Sequence, residues 1–316
     1  MLALHFDGRT ARATDVAPPA DFPDSALVRV SLAGVCDTDV QLVKGYMNFR
    51  GVLGHEFVGT IDDGPDELRG RRVVGEINFA CESCPMCDAG LQRHCPSRRV
   101  LGILGVDGAF AEYVRIPVAN LHAVPHSVPD DVAVFVEPLA AAFEILEQVE
   151  IEPGQDCAVL GDGKLGVLVA QVLRGAGANV LVVGKHPKKL AILERLGIEA
   201  VERRDWSPKP TSLVVEATGS RDGFECAIAA AKPRGTIVLK STLAESHTID
   251  LAPLVVDEIR VIGSRCGPFP PALRALETGS VDVRSLICER VSLRDSVEAL
   301  RIAGTPGALK VLIETA

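Results

Sequence analysis

Four cysteines within fifteen residues are the feature that most constrains what this chain can fold into. The segment "CESCPMCDAGLQRHC" contains Cys81, Cys84, Cys87 and Cys95, with two, two and seven residues between them. Four thiolates at such spacing can close a tetrahedron around a zinc ion, which leaves no open position for a substrate. The proline, glycine and aspartate residues nearby favour the turns of a small lobe folded around a metal. The spacing therefore predicts a structural zinc site.

Three other interpretations of this cluster compete with zinc: four unrelated buried cysteines, disulfide pairs, or a zinc ribbon that binds nucleic acid. The start of the chain, "MLALHFDGRT", lacks a basic segment followed by a long apolar run, so a cytoplasmic location is predicted. In that compartment clustered cysteines bind metal more often than they form disulfides. The formal net charge of −9 disfavours nucleic-acid and acidic-membrane partners, and the apolar runs are too short to span a bilayer.

The pattern of apolar residues divides the 316 residues into three parts. Residues 1–140, which include the lobe at 81–95, alternate apolar and polar positions between glycine and proline turns, as β-strands do. A helix is predicted over 137–149, and strand-like and helix-like segments then alternate through 141–268. Such alternation predicts a parallel sheet covered by helices on both faces. Residues 269–316 return to mixed elements and end on a predicted strand, "ALKVLIET".

A glycine pattern at the start of the second part indicates a bound dinucleotide. In "CAVLGDGKLG" a predicted strand leads into Gly161, Gly163 and Gly166, and a predicted helix follows. Glycines at this spacing allow a tight turn, a close approach of the backbone to a pyrophosphate, and packing of the helix on the strand. The helix N-terminus then offers free N–H groups to the phosphates. The alternative is a glycine-rich turn with a structural role only.

The end of the next predicted strand bears on the choice between NAD and NADP. An NAD site usually has an aspartate or glutamate there, to hold the ribose 2′-hydroxyl. This chain has Gly184, Lys185 and His186, followed by Lys188 and Lys189, and no carboxylate in that run. A lysine can pair with a 2′-phosphate. NADP is therefore predicted over NAD, against the alternative of an ordinary basic helix start.

A second metal site is predicted from three separate segments. "AGVCDTDV" contains Cys36, "GVLGHEFVG" contains His55 and Glu56, and "FVEPLA" contains Glu137. A catalytic zinc needs about three protein ligands and an open position. Each residue alone has an ordinary structural explanation, as a buried cysteine, a core histidine or a glutamate at a helix start. Together with the cysteine lobe and the dinucleotide pattern, they indicate a catalytic zinc.

These motifs together resemble the zinc-containing medium-chain dehydrogenase/reductase family of alcohol and polyol dehydrogenases. The resemblance rests on "GVCDTD", "GHEFVG", the cysteine lobe, "GAFAEYV", "EPLA", "GDGKLG" and "EATGS" and covers nearly the whole chain. "EPLA" is similar to the sorbitol, threonine and glucose dehydrogenases. The resemblance implies an α/β protein: a mostly-β, GroES-like catalytic domain from residues 1–140 and 269–316, and an inserted Rossmann domain with a doubly wound parallel sheet at 141–268.

The resemblance also implies residue roles. Cys36 and His55 would be zinc ligands, and Glu56 and Glu137 would be carboxylates near the metal, one direct and one through water. Thr38 would hydrogen-bond the substrate oxygen and pass its proton on, and Asp39 would orient His55. Beyond the three loop glycines, the predicted cofactor contacts are Lys164, Leu165, Gly184, Lys185, His186, Lys189, Thr218, Gly219, Ser241, Arg265 and Lys310.

The predicted function is hydride transfer between an alcohol or polyol, or the matching carbonyl, and NAD(P), with two zinc ions per chain. The expected partners are a small-molecule substrate and further copies of the chain, as a homodimer or homotetramer. Two alternatives remain: a zinc-independent quinone or enone reductase of the same superfamily, and a non-catalytic zinc-scaffold binding protein. Metal content distinguishes them, since two zincs favour the enzyme, one the scaffold and none the reductase.

Overall fold

The computed structural model describes residues 1–242 and 248–315. The chain divides into two compact units, Met1–Glu137 with Ala272–Ala316, and Pro138–Pro271. The second unit is thus inserted into the first. The predicted boundaries, after residues 140 and 268, each lie three residues from these.

The first unit is built mainly of short strands. They are Leu2–Phe6 (β1), Ala11–Asp15 (β2), Ser25–Gly34 (β3), Gly51–Val52 (β4), Glu56–Asp63 (β5), Arg72–Gly75 (β6), Asn78–Phe79 (β7), Arg99–Leu101 (β8), Gly105–Val106 (β9), Tyr113–Pro117 (β10), Leu121–Ala123 (β11), Ile287–Ser292 (β18) and Lys310–Glu314 (β19). Its helices are Asp37–Val43 (α1), Pro85–Asp88 (α2), Asp130–Ala133 (α3) and Ser296–Ala303 (α10). Short 3-10 turns lie at Tyr46–Asn48, Gln92–His94, Val118–Asn120, Arg284–Leu286 and Leu293–Asp295.

Strand β3 is central in the main sheet of this unit. Among the described residues the sheet order is β11-β6-β5-β3-β19-β18, with β10 also paired to β3. Ala26, Val28 and Val30 of β3 are buried and alternate with less buried residues, as the period of two in a strand requires. The last strand, β19, runs antiparallel to β3 with Leu312 opposite Gly34. The C-terminal segment therefore completes the sheet that the N-terminal segment begins.

The second unit is a parallel sheet with helices between its strands. The strands are Asp156–Leu160 (β12), Asn179–Gly184 (β13), Glu199–Glu202 (β14), Thr211–Glu216 (β15), Ala231–Leu239 (β16) and Arg260–Gly263 (β17). The connecting elements are Lys164–Gly175 (α5), Pro187–Arg195 (α6), a 3-10 turn at Arg203–Asp205, Gly223–Ala230 (α7) and Ala252–Val256 (α8). Two further helices, Val136–Gln148 (α4) and Phe269–Glu277 (α9), run across the boundaries in the chain.

The order of these strands is that of a dinucleotide-binding fold. In the part of the chain that the structure describes, the order is β14-β13-β12-β15-β16-β17, with every neighbouring pair parallel. The order reverses direction at β12, and ligands of such sheets bind at the carboxyl ends of the strands near that reversal. The predicted class, a GroES-like domain with an inserted Rossmann domain, is confirmed.

In residues 1–242 and 248–315, no helix has both the length and the apolar character needed to cross a membrane.

Candidate metal centres and cofactor site

The four cysteines of the predicted structural site lie together in a small lobe. Helix α2 begins directly after Cys84, and Asp88 N–H donates to the Cys84 carbonyl, which turns the chain back towards its start. The Sγ atoms are 3.5 Å apart for Cys84 and Cys87, 3.8 Å for Cys84 and Cys95, and 3.5 Å for Cys81 and Cys95. Four thiolates bound to zinc at about 2.3 Å lie roughly 3.8 Å from one another. The cluster therefore has the dimensions of a zinc tetrahedron.

A disulfide does not fit these distances. A sulfur–sulfur bond is about 2.05 Å long, far shorter than any of the three separations. All four cysteines are free thiols. Hydrogen bonds from the backbone and side chain of Ser83 lower the pKa of Cys81 to about 6, whereas burial raises the pKa of Cys87 to about 11. A bound divalent cation would hold both as thiolates.

Three of the four predicted ligands of the catalytic zinc also come together. One ligand atom from each of Cys36, His55 and Glu56 lies within 4.8 Å of the others. Cys36 directly precedes helix α1 just beyond the end of β3, and His55 directly precedes β5. Because β3 and β5 pair antiparallel, with Gly34 opposite Glu56, the end of one strand meets the start of the other. The sheet register thus brings the two segments to one site.

Asp39 lies beside two members of this group, Cys36 and His55. Its Oδ2 accepts a 2.8 Å hydrogen bond from Cys36 N–H, and its Oδ1 lies 3.3 Å from His55 Nδ1. That contact is an ion-pair distance without hydrogen-bond geometry. Burial lowers the pKa of His55, but the Asp39 carboxylate and Cys36 outweigh burial and hold that pKa well above its usual value. Asp39 faces Nδ1, which leaves Nε2 as the ring nitrogen for a metal.

Glu56 has a partner that the sequence analysis did not foresee. Its Oε2 accepts a hydrogen bond from Lys310 Nζ, and both side chains are completely buried. Gly34 leaves room for this pair, since a Cβ there would lie 2.5 Å from Glu56 Oε2. Glu56 Oε1 is buried and has no hydrogen-bond partner among the described residues. The free oxygen fits a metal ligand, because a buried carboxylate oxygen is costly without a partner.

The prediction that Lys310 contacts the cofactor is not supported by this arrangement. Its ammonium group also lies 3.4 Å from the Val35 carbonyl and 5.4 Å from the centre of the Phe135 ring. A completely buried lysine held by a carboxylate, a carbonyl and a ring has no exposed atom to offer a phosphate. The signal in the sequence was a single lysine inside the apolar strand "ALKVLIET", which indicates a buried counter-ion.

Replacement of Lys310 by methionine is expected to lower the free energy of unfolding by about 3–5 kcal/mol, because the Glu56 carboxylate would stay buried without its counter-ion. Adding Glu56→Gln to Lys310→Met removes both charges and should restore most of the loss. Urea unfolding of the metal-free protein measures both values without a contribution from metal binding. A loss below about 1 kcal/mol for Lys310→Met would contradict the buried pair.

The other predicted residues around this centre are less closely grouped. Thr38 Oγ1 lies 3.7 Å from Cys36 Sγ, so its hydroxyl is beside the metal-binding group. Glu137 lies in the first turn of α4 and is not among the three residues within 4.8 Å of one another. Its predicted role near the metal stays a prediction.

The glycine loop of the second unit has the form predicted for a dinucleotide site. Gly161 follows β12 with φ of +123°, a conformation that favours glycine, and its N–H donates to the Val183 carbonyl. Gly163 directly precedes helix α5, which starts at Lys164. The first turn of α5, with its backbone N–H groups, therefore lies at the carboxyl end of β12, where a phosphate could accept from them.

Two further predicted contacts lie beside each other on loops of the same sheet edge. Gly219 follows β15, Ser241 follows β16, and the Gly219 N–H donates to Ser241 Oγ at 2.8 Å. Thr218 donates through both its N–H and its hydroxyl to Glu216 Oε1. Arg265 accepts a hydrogen bond at its carbonyl from Lys240 Nζ at 3.3 Å. The predicted contacts of Arg265, Leu165 and Gly166 with the cofactor stay predictions.

The end of β13 has a carboxylate beside it, contrary to the sequence-based prediction. That prediction found no carboxylate there, but Asp162 of the glycine loop reaches it. Asp162 Oδ2 accepts hydrogen bonds from the backbone N–H groups of Lys185, at 2.8 Å, and His186, at 2.6 Å. Lys185 is exposed, whereas Lys164 and Lys189 are buried. The premise that this edge lacks a carboxylate is therefore wrong, because the residue comes from a distant part of the sequence.

Comparisons with known proteins bear on both units. Residues 22–126 match the model of the alcohol dehydrogenase GroES-like domain, and residues 165–278 match that of the zinc-binding dehydrogenases. D-arabinitol dehydrogenase 1 from Uromyces fabae is 27% identical over 324 residues, covering 93% of this chain and 92% of the relative. L-threonine 3-dehydrogenase from Chelativorans sp. is 29% identical over 319 residues, covering 92% of each. A zinc-binding dehydrogenase from Sinorhizobium meliloti 1021, crystallised with NADP, has a TM-score of 0.90 at 28% identity and 99% coverage of both chains.

These matches agree with the sites described above. The first matched segment includes Cys36, His55, Glu56 and the four-cysteine lobe, and the second begins at Leu165 in helix α5. Both units of the fold are matched, and the relatives cover nearly the whole chain. The chain therefore belongs to the zinc-containing medium-chain dehydrogenase/reductase family, the family of the alcohol and polyol dehydrogenases.

Proposed function

We propose that this chain is a zinc-dependent dehydrogenase that transfers a hydride between an alcohol or polyol and NAD(P). The observation that carries the proposal is the group of Cys36, His55 and Glu56, in which Glu56 Oε1 is buried without a partner in the described residues. Three protein ligands leave one position open for a substrate, unlike the four thiolates of the lobe. Bound zinc would supply Lewis-acid polarisation of the substrate oxygen.

The residues around this group have distinct roles in the proposed reaction. Thr38 relays the proton of the substrate hydroxyl towards water, since a threonine hydroxyl can accept one hydrogen bond while donating another and so passes its own proton on. Asp39 keeps His55 oriented through Nδ1, and Lys310 holds one oxygen of Glu56 so that the other stays free. The hydride passes from the carbon that bears the substrate hydroxyl to the nicotinamide, and the chemistry of hydride transfer is that of the cofactor. Oxidation of the alcohol thus releases one hydride and one proton by separate routes.

Two zinc ions per chain are part of this proposal. The sulfur separations in the lobe support a structural ion, and the Cys36 group supports a catalytic one. Glu137 would act near the catalytic ion through water, because it lies outside that group. A zinc-independent reductase would need neither set of ligands, and a scaffold would need only the lobe.

A secondary alcohol flanked by other polar groups is the proposed substrate class. The relatives include enzymes named for D-arabinitol and for L-threonine. Both of those compounds have a secondary hydroxyl next to a further polar group. The shared chemistry supports polyols and amino-alcohols ahead of simple primary alcohols.

A preference for NADP over NAD stays a prediction. Exposed Lys185 beside the end of β13 supports it, as does the NADP in the crystal of the Sinorhizobium relative. The carboxylate of Asp162 at the same strand end opposes it.

A substrate panel with metal analysis tests the proposed function. Polyols, sugars, amino-alcohols and simple alcohols are each incubated with NAD and with NADP while nicotinamide absorbance is followed. We expect turnover of at least one secondary alcohol, two zinc ions per chain by elemental analysis, and loss of turnover when a chelator removes the catalytic ion. One zinc ion and no turnover across the panel would favour the scaffold, whereas enone reduction without zinc would favour the reductase.

Assembly and location complete the proposal. A homodimer or homotetramer is supported by apolar residues at the β17 end of the sheet: Val255 and Val256 of α8 are 77% and 79% exposed, and Val261 of β17 is also exposed. A cytoplasmic location is supported by the cysteines, all nine of which are free thiols.

A further inference from the structure

Asp162 is a buried carboxylate at the end of β13, in the loop that would bind the cofactor. Its side chain is 8% exposed. Its Oδ2 accepts from the N–H groups of Lys185 and His186, and the His186 Nδ1 lies 3.1 Å from both oxygens. Its Oδ1 contacts the imidazole of His186 and can accept another hydrogen bond. The carboxylate is thus fixed in position and still has acceptor capacity.

Asp162 fills the space that a side chain at the strand end would take. A Cβ built on Gly184, the last residue of β13, would lie 2.5 Å from Asp162 Cβ and 2.6 Å from its Oδ2. In dinucleotide-binding folds the strand-end carboxylate accepts a hydrogen bond from the adenosine ribose 2′-hydroxyl. Here glycine stands at the strand end, and a carboxylate from 22 positions earlier in the chain occupies the place.

The same geometry acts against a 2′-phosphate. The two backbone N–H groups before helix α6 would be natural donors to a phosphate, but Asp162 already occupies both. A phosphate there would also face the negative charge of Asp162 at close range.

The cations near this edge are partly engaged elsewhere. Arg203 pairs with Asp222 at 3.0 Å. A hydrogen bond from Ser220 lowers the pKa of Asp222, and the charges of Arg203 and Lys185 lower it further. Lys185 is exposed, so its attraction for a phosphate is weakened by solvent.

We propose that Asp162, from within the glycine loop, is the residue that discriminates between the two nicotinamide cofactors, by accepting the ribose 2′-hydroxyl of NAD and repelling the 2′-phosphate of NADP. The inference rests on the proposed function, since it assigns a role within its cofactor site. The cofactor choice is then set by a residue of the first strand–helix turn and not by one at the end of the second strand.

Direct binding of NADH and NADPH to Asp162→Asn tests this role without any turnover. Asparagine keeps the shape of the side chain and removes its charge. A hydrogen bond to a charged group contributes about ten- to a hundredfold in affinity. We expect the ratio of the NADPH to the NADH dissociation constant, measured by nicotinamide fluorescence, to fall at least about tenfold relative to the native protein. The matched control is Asp156→Asn, the same charge change at the exposed start of β12, which should leave the ratio unchanged.

A second probe separates the hydrogen bond from a merely structural role. 2′-Deoxy-NADH should bind the native protein more weakly than NADH, and Asp162→Asn should remove that difference. If Asp162 only holds the backbone of Lys185 and His186, the variant would weaken NADH and NADPH equally, and the ratio would change less than about threefold. That outcome, or a shift towards NADH, overturns the inference. Failure of the native protein to bind either cofactor would instead count against the proposed function.

Discussion

Replacement of His55 by alanine is expected to abolish turnover and to remove one of two zinc ions, while NAD(P)H still binds. His55 is one of three side chains whose ligand atoms lie within 4.8 Å, and its loss leaves only Cys36 and Glu56. A catalytic zinc needs about three protein ligands, so the ion should dissociate. Lewis-acid stabilisation is worth several kcal/mol, and the rate should fall by roughly three orders of magnitude or more.

Turnover and cofactor binding are expected to respond differently because they depend on different units of the fold. His55 belongs to the first unit, whereas the glycine loop belongs to the second, so binding of NADH should change little. The matched control is His122→Ala, because His122 is also in the first unit and also pairs with a carboxylate, Glu76, at 3.0 Å. That variant should keep both zinc ions and most of its turnover. Turnover near the native value in His55→Ala would rule out this metal site.

The division of the chain, the cysteine cluster and the glycine loop could be predicted because their signals are local or periodic. Four cysteines in fifteen residues define the lobe without knowledge of the fold. A strand, three spaced glycines and a helix define the loop at Gly161 in the same way. The helix predicted over 137–149 is found at Val136–Gln148, since apolar residues at helical spacing depend on the chain nearby.

The two features that were missed depend on residues far apart in the sequence. Asp162 lies 22 positions from the strand end that it reaches, and parallel pairing of β12 with β13 brings them together. Lys310 and Glu56 lie on β19 and β5, which both pair with β3 in the sheet. A charged residue between glycines or within an apolar strand signals an unusual site. Its partner becomes evident only when the sheet order is known.

The position of Asp162 also changes how cofactor preference can be engineered. An aspartate introduced at Gly184 is the obvious way to favour NAD, but its Cβ would lie 2.5 Å from Asp162 Cβ. Two carboxylates would then share one site, with a steric and an electrostatic penalty. Changes at Asp162 itself avoid both effects, which is why the binding experiment begins there.

Replacement of Cys84 by serine is expected to remove about one zinc ion per chain and to unfold the lobe locally. Cys84 Sγ lies within 3.8 Å of two other sulfurs of the cluster, at Cys87 and Cys95, so no further thiol can replace it without a rearrangement. Structural zinc contributes about 10–16 kcal/mol of binding free energy in small zinc domains, and much of that energy maintains the fold.

The unfolding should be confined to the lobe because the rest of the protein has hydrophobic cores of its own. The lobe is short, and it is organised by its cysteines and by the small strands β7, β8 and β9. We expect a lower melting temperature, rapid proteolysis within residues 81–95, and a smaller effect on turnover than on stability, because the Cys36 group is a separate set of ligands. The control is Cys288→Ser, at an exposed cysteine outside both metal groups, which should keep two zinc ions. Elemental analysis and limited proteolysis decide the matter, and a Cys84→Ser protein that retains its full zinc content would refute the structural site.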